Sequence, residues 1–128
     1  MTGQSIVEEA ILYDRIGRAV AYVLGSSHIY AFSGRPLAYI KDNEMVYSFA
    51  GTFLGWFQDG WLRDLRNRSV SFVQEAKSGP TRPPWLHTRL TKMTRHICPP
   101  KGTPESPSRQ PSPSMIWSGL AFSDFLDQ

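Results

Sequence analysis

One cysteine, three histidines and no apolar run long enough to cross a bilayer set the first limits on this chain of 128 residues. Cys98 alone excludes an internal disulfide and fits a reducing compartment. A helical membrane span needs about 18 or more consecutive apolar residues, so none is expected. The N-terminus carries Glu8 and Glu9 in place of an apolar leader core, and a cytoplasmic location is the expectation. Gly-x-Ser-x-Gly, His-Glu-x-x-His and phosphate-loop patterns are missing, so nothing in the sequence sets a nucleophile beside a base. Neither an enzymatic activity nor a cofactor is expected. His87, His96 and Cys98 offer three metal ligands where a structural zinc site takes four at tight spacing, so no metal is expected either.

Proline is nearly absent from the first part of the chain and abundant in the rest. Nine of the ten prolines follow Gly79, which marks a boundary in organisation. Up to Ser78, eight Lys/Arg balance eight Asp/Glu; residues 79–112 carry six against one, and residues 113–128 none against two. The basic excess therefore belongs to the tail. Its basic stretch contains a single aromatic, Trp85, whereas single-stranded nucleic acid is bound by cations interleaved with stacking rings, so nucleic acid is not an expected partner.

What the first part does contain is a repeat. Tyr13 to Val23, Tyr30 to Ile40 and Tyr47 to Phe57 follow one pattern at a period of 17 residues, and Arg63 to Val73 is a fourth, worn copy after 16. Self-similarity at so short a period means one supersecondary unit stacked on itself, because no unit of this size buries its own apolar face. Each copy reads as a β-hairpin: β-favouring residues flank a Gly column at 17, 34 and 51, which becomes Asn67 in the fourth. Tight hairpin turns demand positive φ, which Gly takes freely and Asn tolerates best among the others. Asp14 and Asp64 share one column near these turns and read as turn residues.

Eight consecutive antiparallel strands have two exposed edges unless they close, and closure into a barrel removes them. The expected fold is all-β, a closed shallow eight-stranded barrel of four hairpin repeats with pseudo-four-fold symmetry, followed by a Pro-rich tail holding one short helix. Alternation puts the small column Ala21, Ala38, Gly55 and Ser71 on one strand face. On the other lie Val20, Leu37, Leu54 and Val70 with Tyr22, Tyr39, Trp56 and Phe72, and this aromatic ring is expected to point into the channel. An eight-stranded barrel is just wide enough to be filled by side chains or to admit one small ligand.

The Tyr-x-x-x-Gly-x-x-apolar-Ala/Gly-aromatic-apolar pattern over residues 11–73, with Leu54-Gly-Trp-Phe57 and Asp59-Gly-Trp61, resembles the four-fold beta flower family. The resemblance implies a shallow barrel with an apolar central channel and no assigned function. Likeness to Tubby-type barrels, at the level of fold alone, suggests lipid or small-ligand binding.

The chain thus divides into an N-terminal arm at 1–10, a barrel at 11–78, a basic segment at 79–98, a Pro/Ser-rich linker at 99–114 and an apolar C-terminal docking segment at 115–128. In the basic segment Leu86, Leu90, Met93 and Ile97 make one stripe of an amphipathic helix between two proline pairs, with Arg89, Lys92 and Arg95 outside the stripe. The linker is expected to be semi-extended and unpacked. Two readings remain open. In the first, a non-enzymatic binding module takes a lipid or small apolar ligand in or at the mouth of the channel, against Tyr22, Tyr39, Trp56, Phe72, Leu37 and Leu54, with Arg89, Lys92 and Arg95 facing an anionic headgroup or membrane. In the second, a packed barrel is a protein-interaction scaffold whose C-terminal segment meets a partner through Trp117, Phe122 and Phe125.

Overall fold

A computed structural model describes residues 9–84, 91–112 and 115–128. The strands are β1 (Glu9–Tyr13), β2 (Ala19–Leu24), β3 (His28–Tyr30), β4 (Pro36–Lys41), β5 (Met45–Tyr47), β6 (Phe53–Gln58), β7 (Trp61–Arg63) and β8 (Ser69–Phe72). They pair in sequence order and antiparallel, and β1 meets β8 at Tyr13 and Phe72, so the expected barrel closes without an edge. A short helix, α1 (Phe122–Leu126), lies near the C-terminal end. The turn column behaves as its residue types demand: φ is 91° at Gly17, 94° at Gly34, 101° at Gly51 and 61° at Asn67. Asp14 and Asp64 fasten their turns as expected. The Oδ1 of each accepts two backbone amides, from Ile16 and Arg18 in the first hairpin and from Arg66 and Arg68 in the fourth.

The expected orientation of the aromatic ring is reversed, and a repeated bulge is the reason. Leu12 faces Ala21 but Tyr13 faces Ala19, which leaves Val20 as an extra residue. The same slip recurs at Leu37, Leu54 and Val70. A bulge interrupts strict alternation, so both its residues share a face. Val20 and Ala21 therefore both look inward, as do their counterparts in the other repeats, and Tyr22, Tyr39, Trp56 and Phe72 turn outward. One core cluster gathers Leu12, Ile29, Val46 and Leu62 with Ala21 and Ala38, with Leu54 and Val70, and with Val23, Ile40 and Val73, all at most 6% exposed. The large rings form two separate clusters, around Tyr39, Tyr47 and Trp56 and around Tyr13, Trp61 and Phe72.

The interior is filled by branched aliphatic side chains over a floor of small ones, as a barrel this narrow requires. At Gly55 a Cβ would sit 1.9 Å from the Arg63 carbonyl oxygen, so that member of the small column admits no side chain. Ala38 is fully buried in the same layer. Ala38→Leu is expected to overpack this layer and cost roughly 1–3 kcal/mol. A thermal melt unchanged by the substitution would mean that the column faces space.

The tail departs from expectation in two places. Residues 91–98 form neither helix nor strand, and the rest of the proposed helix, including Arg89, lies outside the described residues. Backbone donors there bond the barrel instead: the Met93 amide donates to the Phe32 carbonyl and that of His96 to Gly34, leaving Ile97 96% exposed. The Pro/Ser-rich linker packs as well. It fastens to the third hairpin through Gly102 N–H to Phe49 O and Glu105 N–H to Gly51 O, and to the fourth through Pro111, whose carbonyl accepts Asn67 Nδ2. Prolines lack the amide that would pull a chain into a helix or sheet, so an extended path over a preformed surface suits this composition.

Candidate functional site

The tail is a belt with its own period. Met93 to Gly102 and His96 to Glu105 are each nine residues, while their acceptors, Phe32 to Phe49 and Gly34 to Gly51, are seventeen apart. The same step relates two cation–π contacts, Lys92 over Tyr22 at 5.0 Å and Lys101 over Tyr39 at 4.4 Å. Adjacent hairpins are offset by two strands, about 9.6 Å of wall, so nine residues leave the chain slack to dip between them. Two turn glycines let the belt pass. A Cβ at Gly34 would lie 2.0 Å from Thr94 O, and one at Gly51 2.2 Å from Thr103 O. Asn67, in the third equivalent place, bonds the belt with its side chain, since its Oδ1 accepts from Gln110 Nε2 at 3.2 Å.

This arrangement accounts for the outer aromatics and the tail's cations together. Tyr22 stacks on Tyr30 at 5.7 Å and Tyr39 on Tyr47 at 5.6 Å. Arg95 lies 5.7 Å over the Tyr30 ring, and both Lys92 and Arg95 pair with Glu9. Burial pushes the Tyr30 hydroxyl up to about 12, helped by the Cys98 thiol 3.4 Å away. The Tyr47 hydroxyl donates to Glu105 O at 2.7 Å, and Glu105 Oε1 accepts the Phe53 amide at 2.8 Å. Arg63 takes the Tyr column in the fourth repeat. It is 2% exposed and donates through Nη2 to Ser78 O, and desolvation holds its pKa below the usual guanidinium value against the pull of Asp59.

His28 sits between two rings, 6.1 Å from Tyr30 and 6.4 Å from Phe49, with Nδ1 2.9 Å from Ser27 Oγ. Burial, with Lys101 nearby, holds its imidazole below the ordinary 6.5. The unfolded chain then takes up the proton first, so stability present above pH 6.5 is lost as pH falls below it. Melting temperatures of the protein and of His28→Gln, measured against pH, are expected to converge below that value. Parallel profiles would refute the assignment.

The ligand-binding residues expected from the sequence are not brought together. Leu37 and Leu54 line the inner face, whereas Tyr22, Tyr39, Trp56 and Phe72 lie on the outer face, with Lys92 over Tyr22, Lys101 over Tyr39 and Trp117 against Phe72. The mouth at the hairpin-turn end is occupied by α1. Phe125 is fully buried in the barrel core, and Phe122 and Leu126 pack beside it. Gln128 Nε2 donates to Leu54 O at 2.8 Å and holds the segment down. The C-terminal segment thus does two jobs: Phe125 plugs the interior, and Trp117 packs edge-on against Trp61 at 5.5 Å outside. Ser118 locks the crossing between them by donating Oγ–H to Asp64 Oδ2 while its amide bonds Ser69 O. Among the described residues no cluster of three metal-ligating side chains gathers, and no helix is long and apolar enough to cross a membrane.

Four bulged hairpins, a closed wall and a tail laid over it are matched as one unit. A family model described as 4-fold beta flower protein covers residues 10–126. The chain belongs to the 4-fold beta flower family. No curated protein and no solved structure matches it. The match runs through Leu126, so the belt and the plug lie inside the beta flower unit. Sequence reasoning missed the belt contacts of Lys101, Glu105 and Gln110. The one legible signal was the spacing Lys92-x-Thr94 against Lys101-x-Thr103, nine residues on.

Proposed function

We propose that this beta flower protein is a non-enzymatic binding module that works from its outer surface, with the barrel as a packed support. The observation that carries this reading is Phe125, which has no exposed surface and occupies the interior where a channel ligand would sit. A lipid in the channel would have to displace that ring and its neighbours on α1, at a cost of several kcal/mol for an aromatic this deeply buried. Of the rings expected to grip such a ligand, Tyr22 and Tyr39 lie under belt lysines and Phe72 against Trp117 instead. Trp117, Phe122 and Phe125, the expected partner motif, are held against the protein's own barrel, which leaves the hairpin tips as the surface for recognition. Native mass spectrometry of the protein purified from its own host tests this. The expected masses are those of the chain alone or of the chain with a macromolecular partner. A stoichiometric small apolar ligand retained in the gas phase would return the channel reading to first place.

A further inference from the structure

We propose that the hairpin-turn end, at the seam where the first hairpin meets the fourth, docks on an anionic phospholipid bilayer. The inference rests on the reading of an outward-working module and names its partner. In an up-and-down barrel every turn within a repeat falls at the same end, so closure of β1 on β8 sets the tips at 14–18 and 64–68 side by side. Each tip carries an exposed aliphatic residue, Ile16 at 68% and Leu65 at 36%. Around them stand Arg15, Arg18, Arg66 and Arg68. Between the tips runs the ridge Ser118–Leu120, with a cleft on either side. One is about 230 Å³ and includes Arg15, Ile16 and Arg18 in its lining; the other is about 430 Å³ and includes Leu65, Arg66 and Arg68.

The acidic groups at the seam are Asp14 and Asp64, and both are committed. Asp14 holds its own turn and the Nε of Arg18 at 3.1 Å, and Asp64 holds its turn and the Ser118 hydroxyl. Among the described residues the guanidinium groups of Arg15, Arg66 and Arg68 have no ion-pair partner. Asp127 lines a different hollow, together with Arg35 on the second hairpin. At the opposite end the turns carry Asp42, Glu44 and Asp59 with Lys41, and Lys77 and Lys101 of the tail lie beside them, so acidic and basic groups are mixed there. The seam thus offers guanidinium groups without carboxylate partners beside exposed aliphatic side chains, the combination that attracts an anionic surface.

A bilayer fits these features better than other anionic partners. Aliphatic tips enter the headgroup region while flanking guanidinium groups bond phosphates, often in pairs. The closed wall offers no strand edge to a peptide, and no ring at the tips offers a stacking platform to nucleic acid.

Cosedimentation of the full chain with phosphatidylcholine vesicles, with and without phosphatidylserine, is the test. Binding is expected to the mixed vesicles alone and to weaken with salt. Each basic residue at an anionic surface contributes a several-fold gain, so Arg15→Ser/Arg66→Ser/Arg68→Ser is expected to lower the partition on the order of 100-fold. Ile16→Ser/Leu65→Ser is expected to lower it as well, and Lys41→Ser at the far end to leave it unchanged, with melting curves confirming that every variant folds. Absence of binding to the mixed vesicles, or binding indifferent to both tip variants, overturns the proposal. Binding that survives Ile16→Ser/Leu65→Ser and is competed away by inorganic phosphate identifies a soluble-anion site and overturns it too. A small ligand found by mass spectrometry would concern the barrel interior alone, so the two readings fail separately.

Discussion

Phe125→Ala is expected to destabilise the protein by about 3–5 kcal/mol, the usual range for an aromatic side chain removed from a core. The ring contributes to the same cluster as Leu12, Ile29, Val46 and Leu62, and its edge lies 3.2 Å from where a Cβ of Gly55 would stand. The wall around it cannot collapse to fill the space, because closed β-ladders fix the barrel's diameter. The cavity term is therefore retained in full. For a domain of this size the shift in melting temperature should be on the order of 10 °C or more. The variant should also gain an apolar hole inside the barrel, so an environment-sensitive apolar dye is expected to brighten more with the variant than with the parent. A melt within a degree or two of the parent would mean that α1 merely rests on the mouth.

Gly51→Ala should act at a distance from its own turn. At φ 101° any side chain is strained, at a cost of roughly 1–3 kcal/mol. The new Cβ would also stand 2.2 Å from the Thr103 carbonyl oxygen, a backbone atom that yields only if the belt lifts. Hydrogen exchange is the decisive readout. The amides of Gly102 and Glu105, which donate to Phe49 and Gly51, are expected to lose protection, while those of Met93 and His96 on the second hairpin keep theirs. Asn67→Gly is the informative contrast, since it removes side-chain bonds to Pro111 and Gln110 and adds no clash, and it should cost less. If Gly51→Ala left the exchange of Gly102 and Glu105 untouched, the belt would not be seated by the turn glycines.

These two experiments separate what the wall does from what the tail does, a division the tail's composition concealed. A stretch rich in Pro, Ser and Thr carries few apolar anchors, and composition alone reads it as a spacer. Here it is ordered by hydrogen bonds from its backbone to the hairpin turns and by cations set over tyrosine rings, interactions that leave no hydrophobic periodicity in the sequence. Lys92 and Arg95 show the consequence. Their charge was legible, but their partners are Glu9 and the rings of Tyr22 and Tyr30, all far away in the chain.

The local code was decisive wherever backbone geometry restricts residue type. Positive φ at four turns selects Gly17, Gly34, Gly51 and Asn67, and the 17-residue period repeats the hairpin that each turn closes. Four such hairpins have no stable arrangement that leaves their edges bare, so closure followed from the repeat itself. By itself, then, the sequence determined the strands, the turns and the closed wall. Only the tertiary structure decided which face of that wall looks inward, because one extra residue per hairpin, at Val20, Leu37, Leu54 and Val70, reverses the alternation, and both faces are apolar enough to be buried. It alone decided, too, that Tyr22, Tyr39 and Phe72 on the outer face meet the protein's own tail and that Phe125 fills the interior, since these contacts join segments dozens of residues apart and depend on a surface that exists only after the barrel has closed.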